Sequence, residues 1–278
     1  MLPTRRDLRF KLNPESVINW HEQGPQVAHF FNALSIFFPE GERFFIHSVR
    51  HYRDRVTDPE LQKAITAFIG QEAMHGREHE EYNELMEQAG LPIKKMEGRV
   101  SRLLEWGKRR LPPITQLSAT IALEHFTAIM ADRLLRKPEM IGGADPRMVA
   151  LWRWHALEET EHKAVAFDVY RAVRKPTLKT YFTRSSGLLV ATAVFIGYAY
   201  AYQRELVNTD KTMGRWDGMD DYLRFLFGKG GFIPDMIGPW FDYLKPGFHP
   251  WDHDNRHFLA EMDKLVAEAA SYNMQAAA

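Results

Sequence analysis

The stretch HALEETEH, residues 155–162, decides how the rest of this sequence is interpreted, because it places a glutamate between two histidines at helical spacing. A helix turns by about 100° per residue, so His155, Glu159 and His162 lie within an arc of about 60° on one face. Carboxylate and imidazole side chains that converge in this way are typical ligands of a transition metal. The stretch therefore predicts a helix that contributes one face to a metal site.

Three further stretches repeat or complete this pattern. Glu72 and His75 in QEAMH have Glu-x-x-His spacing, and single glutamates occur as Glu42 in PEGERFF and Glu124 in ALEHF. Helical bundles that bind two iron or manganese ions use one Glu from each of two helices and a Glu-x-x-His from each of the other two. We therefore predict a site for two metal ions with seven ligands: Glu42, Glu72, His75, Glu124, His155, Glu159 and His162.

Composition limits both the metal and the partners. The 278 residues include no cysteine, which excludes disulfides, zinc–thiolate sites and iron–sulfur clusters. Carboxylate and imidazole donors suit iron first, with manganese or zinc as alternatives. The formal net charge is zero, so no electrostatic footprint for nucleic acid is present. The N-terminal MLPTRRDLRF has no apolar run, which predicts no signal peptide and a cytoplasmic location.

Helical periodicity dominates the chain and predicts an all-α fold. Proline, glycine and aspartate signals delimit an irregular segment, residues 1–25, and then four ligand-bearing helices at about 27–55, 59–89, 114–136 and 146–173. An amphipathic stretch at 93–110 lies between the second and third of them. Short connections favour antiparallel neighbours. We expect one domain, 1–278, made of a ferritin-like four-helix metal-binding bundle at 27–173 and a C-terminal helical cover at 175–278.

An uncharged stretch, SSGLLVATAVFIGYAYAY at residues 185–202, allows two interpretations. Eighteen residues are at the lower limit for a membrane span, and five small polar or glycine residues lower the hydrophobicity. One interpretation is a helix buried against the bundle. The other is contact with the inner face of a membrane, as shallow insertion rather than a complete span. Basic residues lie upstream, on the side that would be cytoplasmic: Arg171, Arg174, Lys175, Lys179 and Arg184.

Several charged neighbours of the predicted ligands need separate interpretation. His79 lies on the helix face between Glu72 and His75, and we expect an ordinary surface histidine there rather than a partner of a ligand. Glu158 and Glu161 flank the ligands, and they either orient a histidine or are exposed. The cluster of Glu78, Glu80 and Glu81 is expected to form a solvated face.

The quoted motifs, together with PGFHPWD near the C-terminus, resemble the bacterial family of predicted metal-dependent hydrolases over most of the chain. The ligand order is also similar to that of ferritin-like di-iron N-oxygenases that act on aryl amines. Those enzymes have a His-x-x-x-Glu-x-x-His on the last ligand helix, which His155, Glu159 and His162 match. The resemblance implies a metal-dependent enzyme, but it does not extend to a substrate, because the region after residue 175 has no counterpart.

The leading expectation is an oxygen-activating di-iron oxygenase or oxidase that acts on a small apolar or lipid-like organic substrate. Such an enzyme requires electrons from a partner. The alternative is a hydrolase in which a metal-bound hydroxide attacks an ester, amide or phosphate. A third hypothesis is a non-enzymatic metal-binding or interaction protein. Neither the substrate nor the oligomeric state follows from the sequence.

Overall fold

The computed structural model describes residues 2–142 and 145–275, and these residues form helices and no strand. The all-α prediction is thereby confirmed. In chain order the α-helices are α1 Pro25–Ser35, α2 Phe38–Arg50, α3 Pro59–Gln88, α4 Ile93–Arg110, α5 Pro113–Arg136, α6 Pro146–His162, α7 Val165–Val173, α8 Leu178–Thr209, α9 Met219–Phe227, α10 Pro234–Asp242 and α11 Met262–Gln275.

Side-chain caps fix where the long helices begin. Asp58 accepts a hydrogen bond from the backbone N–H of Glu60 at the start of α3, and Pro59 occupies its first turn. Asp145 caps α6 in the same way through the N–H of Arg147. Such caps satisfy backbone donors that have no partner within the helix. The predicted starts of these helices are confirmed.

Two of the predicted ligand-bearing helices are broken in the structure. The expected helix 27–55 is divided into α1 and α2 by a turn at Ile36 and Phe37, because Pro39 lacks an N–H and blocks continuation from the preceding turn. The expected helix 146–173 ends at His162 and resumes as α7. At this break the buried ammonium of Lys163 donates to the backbone carbonyl of His253 (2.6 Å) and to Oδ1 of Asn255 (2.7 Å).

The ligand-bearing helices pack on one another. Helix α2 lies against α3 and α5, and α6 lies against α5 and α3. Their shared interior is filled by large apolar side chains, among them Phe68, Trp154 and Phe31, each completely buried. The predicted metal ligands on these helices therefore face a common interior.

Helix α8 packs on α5 and α1, but only along one side. Leu188, Ala191 and Leu206 are buried there, whereas only 17% of its most apolar window is buried. Its length and composition alone would allow it to cross a membrane. The interpretation of residues 185–202 as a helix buried against the bundle is therefore wrong for most of the helix surface.

Candidate metal centre

The structure brings all seven predicted ligands together in the interior. Glu42 comes from α2, Glu72 and His75 from α3, Glu124 from α5, and the remaining three from α6. No member of the set is more than 3% exposed. Their donor atoms form three groups in which every atom lies within 4.8 Å of the others: Glu42 with His75 and His155; Glu72 with His75 and Glu159; and Glu72 with Glu124 and His162.

Glu159 lies at the centre of the three histidines. Its Oε1 is 3.1 Å from Nε2 of His155 and 3.7 Å from Nδ1 of His75, and its Oε2 is 3.5 Å from Nε2 of His162. The same Nε2 of His162 is 3.3 Å from Glu72 and 3.6 Å from Glu124. Donors from three helices therefore surround a small shared space.

Most of these potential metal-binding atoms have no hydrogen-bond partner among the described residues. Nine buried atoms are unpartnered: both carboxylate oxygens of Glu42, Glu72 and Glu124, Oε2 of Glu159, Nδ1 of His75 and Nε2 of His162. Leaving one buried polar group unpaired costs about 1–3 kcal/mol, and more for a charged group. Metal cations would satisfy the whole set at once, so the residues present fit a metal centre.

The pKa values show what the cluster does when no cation is bound. Burial, followed by repulsion from the other carboxylates, raises the pKa of Glu42 and Glu72 well above their usual range. Burial also raises the pKa of Glu124, to about 8. For His162 burial lowers the pKa, but attraction to Glu159 outweighs this and raises the value to about 9. The metal-free cluster therefore retains protons that a metal would displace.

Buried partners fix the orientation of two histidines. Nε2 of His75 donates to Oε2 of Glu158 (3.1 Å), which leaves Nδ1 facing the carboxylates. Nδ1 of His162 donates to Oε1 of Gln71 (3.1 Å), which leaves Nε2 facing them. Partners of this kind select the tautomer and raise the basicity of a metal-binding imidazole.

A chain of hydrogen bonds selects the tautomer of His155. The Ser35 hydroxyl donates to Oδ1 of Asn83 (2.8 Å), so Nδ1 of His79 must donate to Ser35 (2.9 Å). Nε2 of His79 then accepts from Nδ1 of His155 (2.8 Å). In the neutral ring, Nε2 of His155 then carries no hydrogen, and it faces an oxygen of Glu159. Two acceptors at this distance repel unless a proton or a cation lies between them.

The expectation that His79 is a surface histidine is therefore wrong, since its side chain is fully buried. Periodicity places it on the ligand face, but periodicity cannot show that α1 covers that part of α3 and supplies Ser35.

Glu158 and Glu161 are also buried, at 0% and 8% exposure. Arg6 binds both, with Nη1 3.1 Å from Oε1 of Glu158 and 2.9 Å from Oε2 of Glu161. In the sequence, only the position of Glu158 and Glu161 beside the ligands indicates that they belong to the site. Arg6 was missed because the irregular N-terminal segment carries no periodicity.

The cluster Glu78, Glu80 and Glu81 is a solvated face only in part. Glu78 is 2% exposed and accepts from Arg77 (2.8 Å) and from the backbone N–H of Phe10 (3.2 Å). The N-terminal segment covers this side of α3. The assignment of Glu78 to a solvated face is therefore wrong.

A cavity of about 600 Å³ adjoins the centre between α4, α5 and α8. Its lining is almost entirely apolar, and Glu42 is the only charged residue among the described residues that line it. Phe38 also lines the cavity, and its ring centre is 4.4 Å from that of His155. Phe38 therefore separates the histidines from the cavity and leaves Glu42 as the contact between the two.

A buried carboxylate–imidazole centre next to an apolar cavity defines a metal-binding protein with room for an organic ligand. The chain matches the family described as predicted metal-dependent hydrolase over residues 4–254, and it belongs to that family. No curated protein and no solved structure matches this chain. The family description agrees with the hydrolase alternative better than with the leading expectation of a di-iron oxygenase. No comparison supports the similarity to N-oxygenases.

Proposed function

We propose that this protein is a metal-dependent enzyme in which α2, α3, α5 and α6 form a ferritin-like bundle that binds two metal ions. Its substrate is apolar and occupies the adjoining cavity. The observation that carries the proposal is the set of nine unpartnered donor atoms on six buried residues that converge from four helices. Unpaired buried groups in such number are costly unless a ligand satisfies them.

The overlapping donor groups fit two ions. Glu72, Glu124 and His162 would hold one ion, and Glu42, His75 and His155 would hold the other, with Glu159 within reach of both. Four carboxylates offset the charge of two divalent cations, and neutral imidazoles complete the donor set. Oxygen and nitrogen donors without sulfur suit iron, manganese or zinc.

Hydrolysis is the first candidate reaction, because the family description specifies it. Bound metals would supply an activated water and polarise a substrate oxygen. The residues of the chain would position the substrate. Phenylalanines that line the cavity, among them Phe38, Phe45 and Phe126, would bind its apolar part and exclude bulk water, and the reacting group would point toward Glu42.

Oxygen activation is the second candidate, and the donor set favours it. A glutamate from each of two helices and a Glu-x-x-His from each of two others is the arrangement of di-iron and di-manganese carboxylate proteins. The surroundings are dry and apolar, which suits oxidation of an apolar substrate. This reaction requires an electron donor as a partner.

One experiment separates the candidates. Protein loaded with manganese, zinc or iron is assayed without oxygen against esters and amides with apolar acyl chains, and ferrous protein is assayed separately for oxygen consumption with a reductant. Anaerobic turnover supports hydrolysis, and oxygen consumption with substrate oxidation supports the oxygenase. A purified chain that binds none of these metals would overturn both.

A further inference from the structure

Helix α8 has an apolar face that nothing in the described chain covers. Fourteen large hydrophobic side chains are exposed among the described residues, and seven of them lie on this face: Leu178, Phe182, Leu189, Val190, Val194, Ile196 and Tyr200. Phe182, Leu189 and Ile196 follow one another at intervals of seven, so they fall within an arc of about 40°. The seven exposed residues form a stripe along the helix, here called the α8 stripe. A contiguous apolar surface of this kind marks an interaction site.

The α8 stripe is free of charge from residue 185 to its end at Tyr200. No lysine, arginine, aspartate or glutamate occurs between Arg184 and Arg204. Arg184 itself is 5% exposed, because it points inward and donates to the backbone carbonyl of Lys245 (2.8 Å). A water-exposed helix normally has charged residues on its outer face. The outer face of α8 therefore suits an apolar phase rather than water.

One end of the stripe is basic. Lys175 is exposed just before α8 and Lys179 is exposed in its first turn, and Arg109 and Arg110 are exposed at the end of α4. These two helix ends are neighbours, since Trp106 and Leu111 line the cavity together with Thr183 and Ser186. No acidic residue occurs within 169–204 or 106–112. An apolar stripe with basic residues at its end is complementary to a bilayer with anionic headgroups.

The cavity opens on the same face. Trp106, Val190 and Val194 line it and are 55%, 64% and 39% exposed. Their position makes them the rim of its mouth, with Glu42 at the inner end. A second copy of this chain seated on the α8 stripe would close this mouth. A lipid surface would instead place the mouth in contact with an apolar phase.

We propose that the face formed by α4 and α8 binds peripherally to an anionic lipid membrane, from which the apolar substrate enters the cavity. The entry of substrate rests on the proposed function, whereas the docking itself does not. Helix α8 lies in the plane of the membrane surface. Leu188 and Ala191 remain packed against the rest of the protein, and Trp240 donates to the Thr192 hydroxyl (3.0 Å), so α8 does not leave the fold to span the bilayer.

The test is flotation of the purified chain with vesicles of phosphatidylglycerol and phosphatidylcholine in equal parts, compared with vesicles of phosphatidylcholine alone. The protein should bind the anionic vesicles, and raised salt should weaken binding because it screens the basic end. Ile196→Asp should weaken binding at least about tenfold, because it places a charge within the apolar stripe. The matched control is Leu2→Asp, which changes a side chain of similar exposure in the N-terminal segment, where Thr4 contacts α3 and α6, and it should bind as the unmodified chain does.

The basic end is tested separately. Lys175→Gln together with Lys179→Gln should weaken binding by about tenfold or more, since each basic residue near an anionic surface contributes measurably. Lys11→Gln together with Lys264→Gln removes the same charge elsewhere and should leave binding unchanged.

Metal content is measured on the same samples, so that the two proposals fail independently. Vesicle binding by a chain that holds no metal would leave docking intact and overturn the proposed metal site. Docking is overturned if the unmodified chain does not bind anionic vesicles or if Ile196→Asp binds them equally well. It is also overturned if Ile196→Asp instead converts a dimer to a monomer, which would identify the α8 stripe as a contact between two copies.

Discussion

The interior of the ligand-bearing helices and the outer face of α8 reverse the usual distribution of polarity. Inside, four glutamates and three histidines lie at most 3% exposed, and most of their donor atoms are unpartnered. Outside, Leu189, Val190 and Ile196 are more than half exposed on a helix face without charge. Buried polar groups and exposed apolar patches are the informative departures from the average protein. Water alone neither pairs the buried polar atoms nor covers the exposed apolar side chains, so each region indicates that a ligand binds there.

The largest expected effect concerns the interior. Glu72→Ala and Glu159→Ala should each lower metal occupancy sharply, because Glu72 belongs to two of the donor groups and Glu159 lies 3.1 Å from His155 and 3.5 Å from His162. Elemental analysis of the purified variants measures this. Glu80→Ala is the matched control on the same helix, since Glu80 is exposed. Full occupancy in both ligand variants would show that the buried cluster is not a metal centre.

The two sides of α8 offer a direct comparison of adjacent leucines. Leu188 is fully buried and Leu189 is 53% exposed. Leu188→Ala should lower the free energy of unfolding by about 2–5 kcal/mol, through lost burial and the cavity left behind. Leu189→Ala should change it by less than about 0.5 kcal/mol, as is usual on a surface. Urea denaturation measures both, and equal losses would mean that α8 is covered on both sides.

A smaller effect is expected from the partner of His75. Glu158→Gln should weaken metal affinity by about tenfold to a hundredfold, because the carboxylate that orients the imidazole and raises its basicity is lost. Isothermal titration with the metal measures the change. Glu84→Gln, at an exposed position of α3, should bind as the unmodified protein does. Unchanged metal affinity in Glu158→Gln would show that Glu158 serves only the ion pair with Arg6 and does not orient His75.

The smallest effect is the pH dependence of the metal-free protein. The pKa of Glu124 is raised to about 8 from an ordinary 4.5, and that of His162 to about 9 from 6.5. Buried histidines whose pKa is lowered oppose this near pH 6.5, but above about pH 7.5 they are neutral in both states: His21, His75, His79 and His125. From about pH 7.5 to 8 the folded state therefore binds more protons than the unfolded chain, so its stability falls as pH rises. One such proton corresponds to a loss of about 0.7 kcal/mol across this half pH unit.

Thermal unfolding of chelator-treated protein checks this trend, and metal-loaded protein should lack it because the metal replaces the protons. The interval ends at pH 8, where burial has lowered the pKa of Lys163 to about 8 and its titration acts in the opposite direction. If the stability of the metal-free protein instead rises through this interval, the cluster does not retain these protons.

The sequence by itself determined that the chain is helical, where α3 and α6 begin, and which residues form the buried cluster. Helical spacing is a local property, so the arc that contains His155, Glu159 and His162 follows from residue numbers alone. Capping aspartates and prolines are local as well, which is why the starts of α3 and α6 were predictable. The family, too, was recognisable from these motifs.

Only the tertiary structure decided which charged neighbours are buried and which apolar residues are exposed. His79, Glu158 and Glu78 are buried because α1 and the N-terminal segment cover them, and these contacts join residues far apart in the chain. The outer side of α8 is exposed because no later segment packs on it within the part of the chain that the structure describes. Burial depends on long-range packing, which spacing along one helix cannot express.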